Sequence, residues 1–101
     1  MSYRLFIRPE VESDIREAAE HYEREASPEL TKDFAREVRK TIRRITENPL
    51  LFMVRHKRLQ VRWVFPKHFP YRIVFVVDGD VITVLCVVHA KRHERVWRSH
   101  T

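Results

Sequence analysis

A chain of 101 residues has room for one hydrophobic core and no second domain, and it buries enough apolar surface to fold without disulfides or metals. Its one cysteine, Cys86, cannot form an intramolecular disulfide, and its one glycine rules out the glycine-rich loops that cradle nucleotide phosphates. The net charge of +6 is unevenly spread: residues 1–37 carry ten acidic and six basic side chains, whereas residues 38–101 carry four acidic and fourteen basic ones.

Tyr3 to Ile7 is composed of strand formers and is closed by Pro9. This apolar run is too short and too interrupted for a signal peptide or a spanning helix, so a soluble, cytoplasmic protein is expected. From Glu10 to about Glu25, Val11, Ile15, Ala18, Ala19 and Tyr22 recur at spacings of three and four, the mark of one apolar helix face. The outer face of that helix carries Glu12, Arg16, Glu20, Glu23 and Arg24.

Ser27-Pro28-Glu29 is a helix start: serine accepts from an orphan N–H, proline is tolerated at the first helical position, and glutamate suits the positive dipole end. The stripe Leu30, Phe34, Val38, Ile42 and Ile45 follows, and Asn48-Pro49 stops the helix. Two helices with so short a link predict a hairpin.

Beyond Pro49 the period becomes two. Leu59, Val61, Trp63 and Phe65 alternate with Gln60, Arg62 and Val64, which predicts a strand with one strongly apolar face. Pro66 to Pro70 reads as a turn. The runs 71–77 and 81–88 are almost wholly apolar and β-branched, as in central strands, and Asp78-Gly79-Asp80 between them supplies the positive φ of a tight hairpin. The expected fold is α+β over a single domain, residues 1–101: a strand, two helices, and an antiparallel meander of three strands.

Within that fold the cations of the second half gather at Arg55-His56-Lys57-Arg58, at Arg62 and Arg72 on strands, and from His89 to Arg98. Adjacent strands would place Arg62 near Arg72, with Lys91 and Arg92 at the end of the last strand. Such a patch attracts nucleic acid or an acidic protein segment; equally, it serves as a solvated face. RNA cleavage would need a base, an acid and cations on the phosphate; histidine is the side chain suited to exchanging protons near neutrality, and of the six in the chain His68, His89 and His93 are the candidates. His89 and His93 are four apart but lack a third ligand, so no metal is expected.

At Phe69-Pro70-Tyr71-Arg72-Ile73-Val74-Phe75, followed by the hairpin, the run 82–88, His89-Ala90-Lys91-Arg92 and Trp97, the sequence resembles the RelE/ParE toxin superfamily. Asp14-Ile15, His21-Tyr22, Phe34, Ile42 to Ile45 and the Asn48-Pro49 stop extend the match over nearly the whole chain. The resemblance implies a toxin of a type II toxin–antitoxin pair, neutralised by a cognate antitoxin whose acidic tail folds over the sheet or the helix hairpin. RelE-like members cut mRNA on the ribosome, and ParE-like members inhibit DNA gyrase. Arg72 and Arg92 fall where RelE-like members carry cleavage-site arginines, and Lys57 corresponds loosely to a basic residue before the meander. Where those members often have a catalytic tyrosine this chain has Trp97, which can serve neither as acid nor as base.

The Phe-Pro-Tyr motif and the His89, Arg92, Trp97 pattern favour the ParE side. The resemblance therefore implies a toxin that binds and inhibits an essential target such as gyrase, with Arg62, Arg72, Lys91, Arg92 and Trp97 as the contacting set. The alternatives are a ribosome-dependent endoribonuclease using Arg72, Arg92, His89 and His93, and a non-toxic binding module. None of these implies a cofactor, a metal, a small-molecule substrate or a membrane.

Overall fold

Pro9 and Pro28 each occupy the first position of a helix, where the missing N–H would have had no intrahelical partner. The computed structural model describes residues 2–91, in which these helices are α1 (Pro9–Glu25) and α2 (Pro28–Glu47). Ser27 caps α2 as its sequence predicts, its Oγ accepting from the Leu30 N–H at 3.1 Å. Only Ala26 and Ser27 separate the helices, which pack on one another as a hairpin. No helix among the described residues is long and apolar enough to cross a membrane.

The strands are β1 (Arg4–Ile7), β2 (Val54–His56), β3 (Val61–Val64), β4 (Tyr71–Asp78) and β5 (Val81–His89), in the spatial order β1-β5-β4-β3-β2. β1 pairs in parallel with β5, and the helix hairpin carries the chain from β1 at one edge of the sheet to β2 at the other. The remaining pairs are antiparallel. Asp78 pairs with Val81, and Gly79, at φ +61, takes the first central position of the two-residue hairpin.

The α+β order expected from the sequence is present, with one strand more and one strand shorter. The stretch 54–56, which the sequence pattern assigns to no element, is the edge strand β2, and β3 begins at Val61 rather than Leu59. Gln60 is the reason: at φ 53 it cannot be extended, and its N–H and side-chain amide both donate to the Lys57 carbonyl, closing a tight turn. Alternation alone does not reveal a left-handed residue inside an alternating run.

Two apolar clusters lie on opposite faces of the sheet. On the helix side, Val11, Ala18, Phe34, Val38 and Ile45 meet Phe69, Ile73, Phe75, Ile82, Val84 and Val87. On the outer side, Val61, Val74, Leu85, Cys86 and Val88 pack together with Trp63 and Val76. Leu85 and Cys86 are consecutive yet share the outer cluster, because a bulge breaks the β4–β5 register between Val74 and Phe75.

Burial pushes the Cys86 thiol up from 9.0 to about 12, with the Asp14 carboxylate adding to the rise and Arg8 opposing it. Because the unfolded thiol ionises first, this group's contribution to stability is complete below pH 9 and is lost as pH rises toward 12. The expected result is that alkylating reagents at pH 8 label Cys86 only after denaturation; fast labelling of the folded chain would contradict its burial.

Candidate functional site

β4 carries alternate residues to opposite sides, Ile73 and Phe75 toward the helices and Arg72 and Val74 outward. On the outer side the Arg72 guanidinium carbon stands 4.9 Å from the centre of the Trp63 ring, and that of Arg55 stands 6.0 Å from the same ring. One indole thus serves two guanidinium groups. Arg72 Nε is buried and makes no hydrogen bond among the described residues. An N–H held from water without an acceptor costs about 1–3 kcal/mol, and an anionic group brought to this face would relieve it.

Arg62 is not part of that arrangement. It pairs with Phe75, so its side chain leaves the sheet on the helix side, where Nε donates to the Phe52 carbonyl at 2.9 Å. The expected neighbourhood of Arg62 and Arg72 is replaced by two arginines on opposite faces. Adjacency of strands was legible in the sequence, but the register that decides the face was not.

His89 also lies away from Arg72. It pairs with Tyr71 on the helix side, its ring 5.2 Å from the tyrosine ring at 81°, and its Nδ1 accepts from the Lys91 N–H at 3.1 Å. Lys91 is exposed in the turn after β5. His68 sits in the Pro66–Pro70 turn at φ 72, beside Leu30 and Phe69. Lys57 is exposed in the turn before β3. Arg92, His93 and Trp97 lie outside the described residues. Arg55, singled out in the sequence only as part of a basic run, is the residue that joins Arg72 at the indole.

On the helix side a cleft of about 360 Å³ opens between α1 and the end of β5, lined in part by Asp14, Glu17, His21, Tyr71 and His89. No cluster of three metal-capable side chains exists among the described residues. Burial, followed by the neighbouring Tyr71, raises the Tyr22 phenol above its ordinary 10.0, so it remains protonated at neutral pH.

The role of Asp14 is structural and was not legible in the sequence. β1 ends opposite Val84, and beyond that point Asp14 Oδ2 accepts the Val87 N–H at 2.9 Å. Asp14→Ala is expected to cost about 2 kcal/mol in urea unfolding, the range for a hydrogen bond to a charged group. Asp14→Asn should lose less, since its amide oxygen still accepts; equal losses would count against the hydrogen bond as the cause.

A family model described as the ParE toxin of the type II toxin–antitoxin system, parDE, matches residues 5–94. Among solved structures, the chromosomal ParDE toxin–antitoxin system from P. aeruginosa is similar over 89% of this chain and 98% of that one, with a TM-score of 0.77 and 16% identity. At that identity the likeness is one of fold. A search of the curated proteins returns no match.

Proposed function

The chain belongs to the ParE toxin family of type II toxin–antitoxin systems, and from that premise we propose that it acts by binding and inhibiting an essential target, DNA gyrase being the first to test. As the toxin component of such a pair it has a cognate antitoxin as partner. The observation that favours binding over cutting is the environment of Arg72. The side chain stacked on its guanidinium is an indole, which neither takes nor gives a proton, while His89 belongs to the opposite face. Arg55, Trp63 and Arg72 together present a cationic, partly apolar surface of the kind that anchors protein interfaces.

Purified toxin added to gyrase at micromolar concentration is expected to block supercoiling, and its antitoxin to relieve the block. Undisturbed supercoiling together with mRNA cleavage in a translating extract would establish the ribonuclease reading instead. Expression of the chain alone without effect on growth would remove both.

A further inference from the structure

Between the end of α2 and β2, three large apolar side chains within four residues face solvent: Leu50 is 58% exposed, Leu51 77% and Met53 64%. The backbone beneath them is fixed. Pro49 is buried, Leu51 N–H donates to Asn48 and Phe52 N–H to Pro49, and Arg62 Nε holds the Phe52 carbonyl. The Phe52 ring turns inward against Phe75, with centroids 6.0 Å apart at 89°. The loop therefore presents its apolar side chains on an ordered frame, which lowers the entropic cost of docking.

The sequence flanking this loop is strongly basic. Residues 38–77 contain ten lysines and arginines and a single carboxylate, Glu47. The Arg44 guanidinium carbon lies 5.5 Å from the Phe52 ring centre and Arg62 binds the Phe52 carbonyl, so two of these cations stand at the loop itself. Neither takes part in an ion pair among the described residues, where the three pairs are Arg4–Asp80, Arg36–Asp33 and Lys40–Glu37. Apolar anchors within a cationic surround fit a partner that is apolar on one side and acidic at its margins.

We propose that Leu50, Leu51 and Met53 form the docking surface for an acidic amphipathic segment of the cognate antitoxin. The partner's identity rests on the toxin reading given above; the chemistry of the segment rests on the loop. The side chains of this surface differ from those of the Arg55–Trp63–Arg72 arrangement, although Met53 stands only two residues before Arg55 at the start of β2.

The test measures the affinity of the full-length chain for its purified antitoxin at two salt concentrations. A double variant, Leu51→Asp with Met53→Asp, is expected to bind on the order of 30-fold more weakly, as for loss of an interface hot spot, with its melting midpoint unchanged because both positions are exposed. Leu51→Lys should bind better than Leu51→Asp, and higher salt should slow association of the unsubstituted chain. As a control, Phe6→Asp, on the exposed strand at the other edge of the sheet, should leave the affinity unaltered.

Unchanged affinity in the double variant overturns the proposal. Equal losses with Leu51→Lys and Leu51→Asp overturn its acidic component. Retained antitoxin affinity with lost gyrase inhibition would assign the loop to the target and also overturn it. A chain that leaves gyrase active yet loses antitoxin affinity in the double variant would refute the gyrase reading while supporting this one.

Discussion

Phe34→Ala is expected to lower the stability of the toxin by about 3–5 kcal/mol, the usual cost of emptying a buried phenylalanine site. Phe34 is fully buried, and its ring lies 5.4 Å from Tyr22, 5.2 Å from Phe69 and 5.2 Å from Tyr71, centre to centre. These partners come from α1, the Pro66–Pro70 turn and β4, so no single element can move to fill the space. Domains of this size are stable by only about 5–15 kcal/mol in total. Thermal unfolding followed by circular dichroism should therefore show a midpoint lower by about 12 °C or more, at roughly 4–8 °C per kcal/mol. A shift of only a few degrees would mean that the aromatic cluster repacks, and that the helix hairpin is held to the sheet by other contacts.

Arg72→Met is expected to separate stability from function. The methionine keeps an unbranched apolar stem against Trp63 while removing the buried Nε that has no acceptor among the described residues. The lost cation–π contact is worth about 0.5–2 kcal/mol, and relief of the unpartnered N–H returns about 1–3 kcal/mol. The melting midpoint should therefore hold or rise. If the outer face contacts the target, inhibition of supercoiling should fall about 30-fold or more, as for an interface hot spot. A residue retained at a cost to stability and required for activity is the expected signature of a functional position. Parallel loss of folding and inhibition would instead make Arg72 a structural residue.

The parts of the molecule most legible in the sequence were those governed by local chemistry. Ser27 capping, proline at the first position of the second helix, the Phe34–Val38–Ile45 stripe and the Gly79 hairpin each depend on residues a few positions apart, and each is present in the structure. The candidate site was less legible. Arg72 and Trp63 were both singled out, but as separate features, and their stacking depends on Trp63 pairing with Val74 beside Arg72. Arg62 was joined to Arg72 on the strength of strand adjacency, and one step of alternation placed it on the other face.

The sequence by itself determined the type and order of nearly every element, because helix and strand periodicities are written in the spacing of apolar residues and their ends in serine, proline and glycine. It also determined the segregation of charge into an acidic first third and a basic remainder. Only the tertiary structure decided that β1 runs parallel to β5, that Asp14 holds the Val87 N–H beyond the end of β1, and that Arg55 and Arg72 share one indole. Each of these joins groups far apart in the chain, or fixes the face on which a strand residue emerges. Register, bulges and turns such as that at Gln60 settle such contacts, and they depend on the packing of the whole domain rather than on any local pattern.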